Sequence, residues 1–140
     1  DVYKRQVETL PRWSEGQIVP QSQDGSLATY CQIITKKDGL LDWSLPATAL
    51  WLRVRAYHPW PGTYTYWRGK LLKIVRARPV TIGPSSEKPG RVISVDDGVA
   101  VVTGTDALLL EEIQLSGKKA LAAQEFIRGQ RDFIGSVLGS

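Results

Sequence analysis

The chain has 140 residues, of which 42% are hydrophobic and 23% are charged, values that are ordinary for one globular domain with a modest core. No apolar run approaches the roughly 20 residues that span a bilayer, so we expect no membrane partner. The single cysteine, Cys31, cannot form an internal disulfide, which fits a reducing compartment and a cytoplasmic location. The chain contains no methionine and begins at Asp1, so we expect it to be part of a longer protein.

The first 41 residues are predicted to contain little regular structure. Val7, Leu10 and Trp13 recur at helical spacing. Pro11 should prevent a long helix there, because proline lacks an amide hydrogen and its ring collides with the preceding turn. We therefore expect an extended N-terminal segment, followed by an extended connector over residues 27–41.

Residues 44–57 are predicted to form a helix. Ser44 is a suitable N-cap, and Pro46 is tolerated in the first turn because no amide donor is needed there. Leu50 and Val54 begin an apolar stripe at a spacing of four residues, and the prolines that follow residue 57 end the helix.

The remainder of the chain is predicted to be mainly β. Strands are expected over residues 63–67, 70–80, 91–95, 99–103 and 107–115, each rich in β-branched, aromatic or other apolar residues. Asp-Gly at positions 97 and 98 predicts a tight hairpin, residues 81–90 read as a loop, and residues 120–128 as a short helix. Five strands with flanking helices predict a small barrel that resembles an OB-fold.

The charge is distributed unevenly along the chain. Between Arg53 and Arg91 there are nine basic residues and one acidic residue, Glu87, which give a net charge of +8, whereas the other residues sum to −4. Such a segment indicates either a polyanionic partner or solvated strand faces, and charge alone leaves both interpretations open. Strand alternation predicts that Arg76 and Arg78 share one face and that Lys73 lies on the other.

Few residues could carry catalysis or bind a metal. His58 is the single histidine, and no motif supplies the nucleophile and the orienting acid that a triad needs. One histidine and one cysteine give no metal-ligand spacing, and the glycines are spread over separate turns instead of forming a phosphate-binding loop. Tyr64 and Tyr66 share one face of a strand, where they could stack on bases or pack in a core.

Four segments resemble the C-terminal region of the methionyl-tRNA formyltransferases. They are residues 26–30 (Ser-Leu-Ala-Thr-Tyr), 42–47 (Asp-Trp-Ser-Leu-Pro-Ala), 54–62 (Val-Arg-Ala-Tyr-His-Pro-Trp-Pro-Gly) and 116–121 (Ser-Gly-Lys-Lys-Ala-Leu). They occur in the order of the family and near its spacing, so together they are far more specific than any one of them.

The resemblance implies a division of labour between two domains. The family joins a Rossmann-like formyl-transfer domain, which uses 10-formyltetrahydrofolate, to a basic OB-fold domain that holds the initiator methionyl-tRNA. Residues 1–24 would then be the tail of the formyl-transfer domain, residues 25–41 the linker and residues 42–140 the OB-fold domain. The catalytic set of the family includes an asparagine, and this chain has none, so we expect the fragment itself to be non-catalytic, without a metal or cofactor.

Two other classes remain open. Sugar-amine formyltransferases and formyltetrahydrofolate dehydrogenases carry a related domain, and a free-standing oligonucleotide-binding OB module is a third possibility. The strongly basic middle segment favours tRNA over a nucleotide sugar. The predicted tRNA-binding residues combine that segment with the lysine pair that the resemblance supplies: Arg55, Arg68, Lys70, Lys73, Arg76, Arg78, Arg91, Lys118 and Lys119.

Overall fold

Two compact units make up the chain, residues 1–32 and residues 33–140. The computed structural model describes residues 2–83 and 86–139, so positions 84 and 85 of the predicted loop lie outside the described residues. The helices are α1 (Val2–Ser14), α2 (Ala47–Ala56) and α3 (Ala123–Gly129), and the strands are β1 (Thr63–Trp67), β2 (Lys70–Val80), β3 (Val92–Val95), β4 (Gly98–Val102), β5 (Ala107–Leu115) and β6 (Leu121–Ala122).

Helix α1 runs through Pro11, so the prediction of an extended N-terminal segment is wrong for this stretch. Pro11 lies in the last turn of α1, where it removes the hydrogen bond that its amide would have donated to the carbonyl four residues earlier, and its ring crowds that carbonyl. The turn continues beyond it, because the amide of Glu15 donates to the Pro11 carbonyl at 3.0 Å. None of the residues of α1 is buried.

The strands form one antiparallel sheet in the order β1-β2-β5-β4-β3, and β6 pairs with β5. The mainly β class with flanking helices is therefore confirmed. The predicted five-stranded barrel is not confirmed, because the sheet is open: within the described residues, β1 and β3 do not pair. Leu121 and Ala122, predicted as helical, join the sheet beside β5, and α3 begins only at Ala123.

The C-terminal tail lies between the two edge strands. The amide of Gly135 donates to the Val92 carbonyl of β3 at 2.8 Å, and the Val92 amide donates to Ser136 at 2.9 Å. A few residues later, the amide of Gly139 donates to the carbonyl of Tyr66 in β1 at 2.9 Å. The tail therefore occupies the gap between β1 and β3. In a closed barrel, these two strands would pair with each other instead.

One apolar core lies between α2 and the inner face of the sheet. Leu50 and Val54 of α2 pack in it with buried side chains of β2, β4 and β5. Near α3, the rings of Trp67, Phe126 and Phe133 meet edge to face, with centroids 5.2–5.7 Å apart. Each such buried side chain contributes about 1.5–3 kcal/mol by leaving water.

Asp42, instead of Ser44, organises the entry to α2. Its Oδ1 accepts hydrogen bonds from the Ser44 amide at 3.0 Å and from the Ser44 hydroxyl at 2.6 Å. The helix begins at Ala47, three residues after the predicted start, because the amide and hydroxyl of Ser44 are bonded to Asp42 and Ser44 does not cap the helix. The hydroxyl of Ser44, followed by its amide, lowers the pKa of Asp42 below its ordinary value of 3.8.

The Asp42 turn predicts a pH-dependent contribution to stability. Because the pKa is lowered in the folded chain, the stabilisation is complete above pH 3.8 and is lost as the pH falls through the lower, folded-state pKa. We expect Asp42→Ala to lower the melting temperature at neutral pH and to approach the parent in strong acid. Asp42→Asn, which keeps an oxygen acceptor, should lose less at neutral pH. A difference between parent and Asp42→Ala that persists unchanged in acid would contradict this.

Candidate nucleic-acid interface

A β-bulge in β2 brings three basic side chains onto one exposed face. The register of β2 against β5 shifts between Ile74 and Arg76, and again between Arg76 and Ala77. This shift reverses the alternation, so Ala77 is buried while Lys73, Arg76 and Arg78 are all exposed. The prediction that Lys73 lies on the face opposite to Arg76 and Arg78 is therefore wrong.

An open groove with a volume of about 560 Å³ lies beside this face. Arg55 of α2 lines it together with Arg76 and Arg78 of β2, and Glu111 of β5 lines it as well. The guanidinium carbon of Arg55 is 4.6 Å from the ring centroid of Trp51, a cation–π contact that orients this side chain. We call this feature the arginine groove. It gathers three cations from two elements of the fold.

Carboxylates hold two of these arginines in place. Glu111 contacts both, with 3.2 Å to Nε of Arg76 and 3.6 Å to Nε of Arg78. Arg76 also lies 3.8 Å from Glu112, and Arg78 lies 2.5 Å from Asp97. Because these ion pairs are substantially exposed, each stabilises the fold by only about 0–1 kcal/mol. A phosphate could compete for the guanidinium groups, although part of their charge is already neutralised.

A group of unpaired lysines lies next to the arginine groove. Lys73 stands between Tyr64 of β1 and Gln114 of β5 in the sheet register. The side-chain amide of Gln114 donates to the Lys118 carbonyl at 2.8 Å, which holds the β5–β6 turn beside β2. Within residues 2–83 and 86–139, neither Lys73 nor the exposed pair Lys118 and Lys119 makes a salt bridge. We call these three residues the lysine patch.

The remaining predicted residues lie apart from the arginine groove. Arg68 is paired with Asp132 and lies over the Trp67 ring, with 5.2 Å to the centroid. Arg91 is 3.6 Å from Glu87 and immediately precedes β3, on the opposite side of the sheet from β1. Lys70 is exposed at the first residue of β2 and does not line the groove.

The predicted set omits two charged residues that the fold brings into this region. Glu111 bridges two arginines, and Lys36 lines a second pocket together with Lys73. The Lys-Lys-Asp-Gly run that begins at Lys36 signals a turn in the sequence. Its position beside β1 and β2 depends on tertiary contacts that local pattern does not reveal.

Other chemistry finds little support in the described part of the chain. His58 lines the arginine groove, but there its imidazole makes no hydrogen bond with another described residue. In the same residues, no three His, Cys, Asp or Glu side chains are arranged to hold a metal ion. None of the described helices has both the length and the apolar character that crossing a membrane requires.

Fold and surface together define a small antiparallel β domain with a basic outer face. Residues 33–131 match the family model described as formyl transferase, C-terminal domain. The chain belongs to this family, which confirms the resemblance that the sequence motifs indicated.

Several methionyl-tRNA formyltransferases are similar to nearly the whole chain. The protein of Roseiflexus sp. (strain RS-1) is 43% identical over 133 residues, which cover 95% of this chain and 41% of that protein. The protein of Citrifermentans bemidjiense is 42% identical over 134 residues, covering 95% of this chain and 41% of its own length. The chain therefore spans about two fifths of the length of the curated relatives that it matches.

Among solved structures, the fold is similar to part of HypX from Aquifex aeolicus. The complex of HypX with tetrahydrofolic acid matches with a TM-score of 0.61 and 20% sequence identity. The match covers 95% of this chain and 24% of that chain. At this level of identity, the likeness establishes a shared fold and nothing about ligands.

Proposed function

We propose that the chain is the C-terminal, tRNA-binding part of a methionyl-tRNA formyltransferase, the enzyme that formylates the amino group of initiator methionyl-tRNA. The names of relatives with 42–43% identity support the enzyme. The observation that carries the role of this part is the lysine patch beside the arginine groove. There, Lys73, Lys118 and Lys119 keep their charge available for an anion, and tRNA is the polyanion on which such an enzyme acts.

The formyl donor of the family, 10-formyltetrahydrofolate, does not fit the residues present. The chain has no asparagine, and its single histidine, His58, lies in a groove that it lines together with three arginines. We therefore assign the catalysis to a formyl-transfer domain linked in cis. In this proposal residues 1–24 are the tail of that domain, residues 25–41 are the linker, and residues 42–140 hold the tRNA in the cytoplasm.

Binding would proceed by contact with phosphate groups and not by reading of bases. Guanidinium and ammonium groups on one exposed face can approach successive phosphates of a folded RNA. Because Arg76 and Arg78 already form ion pairs with carboxylates, we expect roughly three to five phosphate contacts from the whole set of basic residues. An isolated domain with so few contacts should bind with a Kd on the order of micromolar or weaker at physiological salt, with slight sequence preference.

Paired alanine substitutions test this proposal. We expect Lys118→Ala with Lys119→Ala, and separately Arg76→Ala with Arg78→Ala, to weaken the binding of all tRNAs alike. Each pair should flatten the logarithmic salt slope by about one to two units, because fewer counterions are released. The lysine pair should have the larger effect, since no carboxylate in the described residues competes for it. The measurement is a tRNA titration by fluorescence anisotropy across a series of salt concentrations.

A matched control removes two charges from elsewhere in the chain. Lys4→Ala with Arg5→Ala lowers the net charge by the same amount in α1, so its titration should resemble that of the parent. If the lysine-patch variant and the arginine-groove variant also bind as well as the parent at every salt concentration, the basic face is only a solvated surface and the proposed role fails.

A further inference from the structure

We propose that a pocket beside β1 binds one unpaired nucleotide of an RNA, with its base stacked on Tyr64 and its phosphate held by Lys36 and Lys73. The pocket has a volume of about 320 Å³, and its lining includes Lys36, Pro61, Tyr64, Leu71 and Lys73. This inference rests on the proposed function and adds to it a contact with a base, which the phosphate-binding residues do not supply.

The wall that carries Lys36 is fixed by a capped turn. Asp38 Oδ2 accepts hydrogen bonds from the Thr35 amide at 2.6 Å and from the Thr35 hydroxyl at 2.8 Å, which closes the 3-10 turn Lys36–Gly39. A Cβ at Gly39 would lie 2.2 Å from the Gly62 carbonyl oxygen, so this turn packs directly on the loop before β1. The backbone that carries Lys36 is therefore held in place on this side of the pocket.

The opposite wall supplies an aromatic ring in a defined position. Tyr64 is half-buried, and the ring of Tyr66 meets it edge to face at a centroid distance of 5.9 Å and an angle of 89°. Lys73 is its direct partner on β2, so a cation lies beside the ring on the same face of the sheet. An aromatic surface with adjacent cations is the arrangement that proteins use to bind a base together with its phosphate.

The neighbouring surface favours a nucleotide within a strand over a free one. Lys73 also lines an adjoining pocket of about 150 Å³, and this pocket shares His58 with the arginine groove. The three cavities are therefore neighbours that share lining residues, and Gln114, which lines the middle one, donates to the Lys118 carbonyl and so holds the lysine patch beside it. No carboxylate lines the Tyr64 pocket among the described residues, so no negative charge there repels the phosphates of a strand.

Single-stranded RNA and the 140-residue chain provide the test. We expect a labelled oligoadenylate to bind the parent and to lose affinity on the order of tenfold in Tyr64→Leu, whereas Tyr64→Phe keeps the ring and the affinity. Lys36→Ala should weaken the same binding and flatten its salt slope by about 0.7. Tyr30→Leu, which removes an exposed tyrosine from the other unit, is the matched control. Circular dichroism verifies that each variant is folded.

The remaining measurements distinguish an RNA strand from a free nucleotide, and the pocket from the proposed function. AMP should bind more weakly than oligoadenylate, and equal affinity would overturn the assignment to an RNA strand. Oligoadenylate binding that Tyr64→Leu and Lys36→Ala leave unchanged would overturn the pocket, even where tRNA binding depends on Lys118 and Lys119. Conversely, oligoadenylate binding could depend on Tyr64 while the arginine-groove and lysine-patch variants bind tRNA as well as the parent. That result would support the pocket and overturn the proposed function.

Discussion

Replacing Phe133 with alanine is expected to destabilise the sheet unit by about 3–5 kcal/mol. The ring is fully buried, and its centroid lies 5.2 Å from the centroids of both Trp67 and Phe126. Removing it opens a cavity and also forfeits two edge-to-face contacts. Urea-induced unfolding followed by circular dichroism measures the loss without relying on the fluorescence of Trp67, which the substitution itself would change.

The adjacent residue provides the control for Phe133. Ile134 is 41% exposed, so Ile134→Ala should cost less than about 1 kcal/mol in the same titration. If the two substitutions cost the same, Phe133 does not belong to the core in solution. This position is informative because it lies beyond residues 33–131, the part that the family model matches. A large effect would make the tail a structural part of the unit.

The second large effect is expected from Gly104→Ala. A Cβ at Gly104 would lie 1.8 Å from the Ser44 carbonyl oxygen, a distance that forces the backbone to move. Two hydrogen bonds of 3.1 Å would be disturbed, from the Gly104 amide to the Leu45 carbonyl and from the Ala47 amide to the Thr105 carbonyl. We expect a loss near the upper end of the 1–3 kcal/mol that is usual for overpacking, about 3 kcal/mol.

Gly129→Ala is the matched control, because nothing lies within 4 Å of its added Cβ. It ends α3, where alanine is favoured over glycine, so its effect should be neutral or stabilising by about 0.5–1 kcal/mol. Both variants are compared by their urea midpoints. A Gly104→Ala midpoint equal to that of the parent would mean that the Asp42 turn, which includes Ser44, does not pack on Gly104 in solution.

Local pattern was sufficient to predict most strands. The bounds of β1, β2 and β5 agree with those predicted, because each strand combines β-forming residues with turn residues at its ends. Val99 and its neighbours follow Asp-Gly, and the hairpin of β3 and β4 forms there as predicted. These features depend on a few neighbouring residues, so a single sequence contains the information that determines them.

Features that depend on distant partners could not be predicted in this way. The bulge at Arg76 arises where β2 pairs with β5, and it alone decides that Lys73 shares a face with the arginines. The ion pairs of Glu111 likewise join residues far apart in sequence. The local cost of Pro11 predicts a break in the helix, and α1 nevertheless continues through it to Ser14. The role of the nine basic residues in tRNA binding stays a prediction.

The tail between β1 and β3 has a consequence for solubility. An edge strand with unpaired amides and carbonyls can recruit a strand from another molecule, which is a common origin of aggregation. Here, Gly135 and Ser136 occupy backbone groups of β3, while Gly139 reaches β1. A chain truncated before residue 135 would lose these contacts, whereas Leu41, whose amide donates to the Tyr64 carbonyl at 2.9 Å, would still cover part of β1. By occupying these backbone groups, the last few residues disfavour pairing with a strand of another molecule, an effect separate from any ligand that the basic face holds.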